Sequence, residues 1–150
     1  MSMPKLNLKV VLTGLLALLG VATANAQAPR DFDPARDIRV SFEQGQVLVT
    51  APSGIHLKKE FMGISLASKP GTLTVGILPL ASAQDELGED IYRGTVKIPV
   101  TGKGLKGEVK LTVEYQACTE GKGSTCFPPT RQELTVKATD IPATKASKAK

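Results

Sequence analysis

From residue 38 onward, apolar side chains recur at every second position. Ile38, Val40 and Phe42 alternate with Arg39 and Ser41, and Leu73, Val75 and Ile77 alternate with Thr72, Thr74 and Gly76. Val96, Ile98 and Val100 alternate with Thr95, Lys97 and Pro99. The longest run sets Val109, Leu111, Val113, Tyr115 and Ala117 on one face, with Lys110, Thr112, Glu114 and Gln116 on the other. Leu134 and Val136 resume the pattern further on. Residues i and i+2 share a face of a strand, so each run buries one side and wets the other. Turn signals separate the runs at Glu43-Gln44-Gly45, Ala51-Pro52-Ser53-Gly54, Lys69-Pro70-Gly71 and Gly102-Lys103-Gly104. Short strands punctuated by Gly and Pro predict an all-β fold, an antiparallel β-sandwich. Pro99 removes a ladder N–H, which predicts an edge or bulged strand there. No stretch supports a long helix, and no internal repeat or second domain is visible.

The first residues read differently. Lys5 and Lys9 precede an apolar run, Val10 to Ala22, and Ala24-Asn25-Ala26 follows with the small-x-small pattern of a signal peptidase site. The run is shorter than the roughly 20 residues of a spanning helix. Residues 1–26 are therefore expected to be a cleaved signal peptide, with no stable membrane insertion of the mature chain. The remainder divides into an N-terminal linker at 27–37, one domain at 38–140 and a disordered basic tail at 141–150. Export places the domain where disulfides persist.

Export also changes the meaning of the charge. The chain carries 19 basic and 14 acidic residues, a formal charge of +5. Lys5 and Lys9 leave with the signal, and Lys145, Lys148 and Lys150 lie in the tail, so the body holds 14 basic residues against 14 acidic. A neutral body with a basic end offers no footprint for nucleic acid. Asp31, Asp33 and Asp37 around Pro34 read as a solvated linker rather than a calcium loop.

The chain has two cysteines, Cys118 and Cys126, at the end of the longest alternating run. The polar loop Thr119 to Thr125 joins them, so they are expected to pair at the base of a hairpin. If the strand stays regular, Cys118 follows the polar set and points away from the core. Immunoglobulin domains differ, because their bridge crosses the core between strands distant in sequence. A bridge over so short a loop contributes roughly 2–3 kcal/mol. Composition alone leaves two readings open, a structural staple and a working redox pair.

Tyr115-Gln116-x-Cys118, a short loop, and Cys126-Phe127-Pro128-Pro129 together resemble the N-terminal domain of the thiol:disulfide interchange protein DsbD family. A second match, Asp85-Glu86-Leu87-Gly88-Glu89-Asp90 running into Ile91-Tyr92-Arg93, resembles that family's acidic cap loop and the strand after it. The likeness covers roughly residues 38–137. It implies an immunoglobulin-like β-sandwich, a periplasmic location and a redox-active pair relaying electrons to or from thioredoxin-fold partners. The activity implied is that of a protein-disulfide reductase or thiol–disulfide interchange component. Cys126 would form the mixed disulfide and Cys118 would resolve it. Asp85 and Glu86 match acids that could steer proton transfer and raise a thiol pKa, and Leu87 matches an aromatic that shields the pair. Lys122 could favour a thiolate, while Glu120 would oppose it.

The departures are the seven-residue loop with Gly121 and Gly123, the Leu87-Gly88 cap, and Ile55-His56-Leu57-Lys58 where the family often has tyrosines. No membrane segment or thioredoxin-like domain follows, so a free-standing, monomeric module reduced by a separate membrane electron donor is expected. The alternative is a non-catalytic binding or scaffold sandwich with a structural disulfide.

Other chemistries find no residues. His56, the one histidine, reads as a surface position. A metal site from Cys118, Cys126, His56 and Met62 lacks ligand spacing, so no metal or cofactor is expected. Hydrolase and nucleotide motifs are absent.

Overall fold

A computed structural model describes Ala28, residues 30–67 and residues 70–145. The expected signal peptide at 1–26 lies outside the described residues, as do residues 146–150 of the expected tail. The two-residue alternation becomes β1 (Arg39–Glu43), β2 (Gln46–Thr50), β3 (Ile55–Lys58), β4 (Gly63–Leu66), β5 (Thr72–Val75) and β6 (Ala83–Gln84). It continues as β7 (Asp90–Tyr92), β8 (Thr95–Lys103), β9 (Glu108–Tyr115), β10 (Ala117–Thr119) and β11 (Thr130–Lys137). Among the described residues the one α-helix is α1 (Pro34–Asp37). Its N-terminus is capped by Asp33, whose carboxylate accepts the Ala35 N–H at 2.9 Å.

The strands form three antiparallel sheets, ordered β1-β2-β8-β5, β10-β3-β7-β6 and β11-β9-β4. Their apolar faces meet in one cluster that includes Val47 and Val49, Val96, Ile98 and Val100, and Val109, Leu111, Val113 and Tyr115. Burying a side chain of this kind contributes about 1.5–3 kcal/mol. These are the alternating residues of the sequence pattern, and the fold is the expected all-β, immunoglobulin-like sandwich. The first hairpin turns at Gln44 and Gly45, with φ of 50° and 76°. Positive φ at both central residues matches the right-handed twist of the flanking strands.

Three expectations are corrected. The strand holding Pro99 lies between two neighbours, not at an edge: β8 pairs with β2 over Thr95–Pro99 and with β5 over Val100–Lys103. The Pro99 carbonyl accepts the Gly76 N–H at 2.7 Å, so its nitrogen faces the same side, just past the end of β5. The return bond to the Gly76 carbonyl, which proline cannot donate, is missing, and the pairing with β5 ends there. The run from Leu73 ends at Val75, and Ile77 is 93% exposed instead of continuing the apolar face. Finally, the chain at 141–144 packs on the domain. Ile141 is buried, Ala143 bridges Gly102, and Thr144 N–H donates to the Gly102 carbonyl at 3.0 Å. The segment before residue 38 packs as well, with Phe32 edge-on to Phe127 at 5.2 Å.

Candidate functional site

The cysteines are brought together where the chain changes sheets. β9 pairs with β11 and β4, whereas β10, one residue later, pairs with β3. Gln116 occupies the crossing. Its carbonyl accepts the Lys58 N–H at 3.0 Å, and its side-chain amide donates to the Phe127 carbonyl at 3.0 Å. Tyr115 holds the strand end in place: its hydroxyl donates to the Pro34 carbonyl at 2.7 Å and accepts from Gln132 at 2.5 Å. The Phe127 N–H then returns to the Ala117 carbonyl at 2.9 Å, which sets Cys118 opposite Cys126. The two are disulfide-bonded, with their Cα atoms 4.0 Å apart.

The loop between them closes on Thr119, whose N–H donates to the Thr125 carbonyl and whose hydroxyl accepts the Thr125 N–H at 2.8 Å. Gly121 and Gly123, at φ of 95° and 72°, supply the left-handed backbone of this turn. Tyr115, Gln116 and Phe127 thus do architectural work in the motif, and Pro128 and Pro129 lead on, exposed, to β11.

Cys118 leaves the core face as the alternation requires. Ala117 belongs to the hydrophobic cluster and Cys118 does not. The expected accessibility, however, is absent: Cys118 is 0% exposed, while Cys126 is exposed. The reason is β3. All four of its residues are buried, so both faces of this sheet are covered.

Over the Lys58 end of the outer face lies a turn from Asp85 to Glu89. One Asp85 carboxylate oxygen accepts the Leu87 and Glu89 N–H groups at 2.9 and 3.0 Å. The other accepts from Lys58 Nζ at 2.5 Å, and Lys58 also bonds Glu89 Oε2. A buried lysine on β3 therefore ties the turn down. The Lys58 hydrogen bond, joined by the Leu87 amide, holds the Asp85 carboxyl below its ordinary range. Glu86 borders the neighbouring cavity. Leu87 is 83% exposed, so it is not packed over the disulfide as the family likeness implied.

Ile91-Tyr92-Arg93 joins this cap to the cysteine loop. Ile91 is buried opposite Lys58, and the Tyr92 hydroxyl donates to the Pro79 carbonyl at 2.7 Å. Arg93 forks onto Glu120 through Nε at 2.6 Å and a terminal nitrogen at 3.0 Å. That hydrogen bond lowers the Glu120 pKa. Asp85 and Glu120 are thus paired with Lys58 and Arg93, and neither is the free acid expected to raise a thiol pKa. Lys122 is exposed in the loop.

His56 is the residue that sequence reasoning misplaced. It lies on β3 directly opposite Cys118 in register, and it is 2% exposed. Neither ring nitrogen has a hydrogen-bond partner. Nδ1 lies 3.5 Å from a Glu120 carboxylate oxygen, close enough for charge attraction but too long for a good hydrogen bond. Burial pushes its pKa down, and Glu120 opposes the shift only in part. The ring lines a polar cavity of about 260 Å3 between the cap and the cysteine loop, with Gln84, Asp85, Glu86, Arg93, Glu120 and Ser124 around it. The one signal in the sequence was position: His56 falls within Ile55-His56-Leu57-Lys58, the stretch where the family likeness implied tyrosines beside the site.

A profile of the family described as thiol:disulfide interchange protein DsbD, N-terminal, matches residues 43–138. The solved Neisseria meningitidis DsbD N-terminal domain, in its reduced form, is similar at 15% identity and a TM-score of 0.47, over 71% of this chain and 89% of that one. No curated protein matches the chain.

Proposed function

This chain belongs to the N-terminal domain family of the thiol:disulfide interchange protein DsbD, and we propose that Cys118–Cys126 is a working redox couple that relays electrons to or from thioredoxin-fold partners in the periplasm. The observation that carries the reading is the unequal exposure of the two sulfurs' residues. Cys126 is open to a partner, and Cys118 is buried behind it. Exchange proceeds by attack of a thiolate on an accessible sulfur, so Cys126 forms the mixed disulfide and Cys118 resolves it. Among the described residues no helix is long and apolar enough to cross a membrane. A separate membrane protein is proposed as the electron donor.

The disulfide does not bind the fold together from its centre. It clips a hairpin that already has a backbone ladder to β3. A bond placed this way can be opened and closed while the cluster of buried residues stays intact.

The test is trapping. Cys118→Ser, which lacks the resolving thiol, is expected to accumulate a mixed disulfide through Cys126 with a thioredoxin-fold protein carrying one active-site cysteine. Cys126→Ser is expected to trap far less, because its remaining thiol is buried. Equal trapping by both variants contradicts the assigned roles. Trapping by neither favours a structural bond.

A further inference from the structure

The resolving step requires Cys118 to lose a proton in a place without exposed surface. Asp85, the acid expected to manage that proton, is committed to Lys58 and to two backbone amides. Glu120 is committed to Arg93. Of the titratable groups around the cavity, His56 is the one paired with Cys118 across two antiparallel strands and therefore on the same face of the sheet, whereas Glu86 is exposed at its border. Side chains so placed have Cβ atoms about 4.5–5.5 Å apart. A buried imidazole with two unpartnered nitrogens carries a desolvation cost. Such exceptions call for an explanation, and a proton-transfer role supplies one.

We propose that His56 is the proton-exchanging partner of Cys118, accepting the thiol proton as Cys118 resolves the mixed disulfide at Cys126, with Glu120 stabilising the imidazolium that results. The inference rests on the carrier reading above. In the resolving step the Cys118 sulfur attacks the Cys126 sulfur. The Cys118–Cys126 bond forms, the bond from Cys126 to the partner sulfur breaks, and its electron pair leaves with the partner as a thiolate. The Cys118 proton passes to the neutral imidazole. Over both half-reactions the domain loses two electrons to the partner disulfide, which is the oxidant. In the opposite direction the imidazolium returns the proton to the departing Cys118 sulfur.

The charged groups around the ring suit this role. Glu120, from the end of β10, faces Nδ1 and favours the imidazolium. Asp85, in the cap, acts in the same sense more weakly. Lys58, on β3 itself, and Arg93, after β7, oppose it. Glu86 shares the cavity. Burial keeps the resting ring neutral, so it is ready to accept a proton. The polar cavity that the ring lines is large enough for water.

The experiment uses reduced protein and dithiobis-nitrobenzoate, whose released thiolate is coloured, followed by stopped flow across pH. The first phase reports attack by Cys126, and the second reports resolution by Cys118. His56→Gln is expected to keep the first phase and slow the second about 100-fold near neutral pH, within the usual range for a lost general base. The deficit is expected to close in alkali, where hydroxide deprotonates the thiol. Glu120→Gln is expected to move the inflection of the second phase to lower pH. Because the chain has one histidine, its ring proton can be titrated by NMR in the same wild-type sample, untagged. The ring titration and the second-phase inflection must coincide. A separation of more than about one pH unit, where one unit is 1.36 kcal/mol, overturns the proposal even if the His56 variant does not fold. An unchanged second phase in a folded His56→Gln protein also overturns it. Loss of the first phase in wild type would instead sink the carrier reading, and this inference with it.

Discussion

Reducing Cys118–Cys126 is expected to leave the protein folded, at a cost that can be worked from the hairpin. The bond closes a loop with a sequence separation of eight. For a ring this small the chain-entropy relation gives about 2.5 kcal/mol at 25 °C. What survives reduction is considerable. Ala117, Cys118 and Thr119 keep their register with Leu57, His56 and Ile55. Phe127 stays tied to Ala117 and to the Gln116 side chain. The hydrophobic cluster does not include either cysteine. For a domain a little over 100 residues long, each kcal/mol moves Tm by about 4 °C, so reduction is expected to lower Tm by about 10 °C. The assay is calorimetry with and without reductant, read beside amide exchange. Faster exchange is expected in the turn from Asp85 to Glu89 and from Cys118 to Pro129, with the β2–β8 ladder unchanged. Global unfolding at room temperature, or a fall in Tm beyond about 20 °C, would refute the reasoning, because the loop-entropy cost cannot account for it. The bond would then be a staple.

The other perturbations probe the cover and its supports. Lys58→Met is expected to release the cap by removing the cation that holds Asp85 and Glu89, and to speed alkylation of Cys118 in the reduced protein at least tenfold, about the 1.5 kcal/mol of one hydrogen bond to a charged group. Unchanged alkylation would mean the cap is held by something else. Gln116→Ala is expected to cost about 1 kcal/mol by leaving the Phe127 carbonyl without its partner, read as a fall in the urea midpoint. Stability is also expected to depend on pH in two stages. His56 has a folded pKa below its ordinary 6.5, so its contribution is fully present above that value and is lost as pH falls toward the folded one. Asp85 and Glu120, also depressed, have ordinary values of 3.8 and 4.5, so their contributions are lost only at lower pH. His56→Phe is expected to abolish the first stage in urea titrations, and a wild-type profile without that stage would contradict a ring buried in its neutral form.

Much of the architecture was legible in the chain because a strand writes its two faces into alternate residues. Val109, Leu111, Val113 and Tyr115 are buried as their spacing requires, and Cys118 falls on the opposite phase from Ala117. The cysteine pairing was equally legible, since the short loop leaves few other geometries. Periodicity states which side of a strand is apolar, but it does not state what is laid over the polar side. The fates of Cys118, His56 and Lys58 were therefore decided in three dimensions. Lys58 meets Asp85 and Glu89 across 27 and 31 residues, and Arg93 meets Glu120 across 27. Those pairings turn an apparently wet face into a covered one, leaving a buried imidazole beside a buried sulfur. Local spacing cannot encode them, because each depends on two loops from different parts of the chain arriving over the same strand.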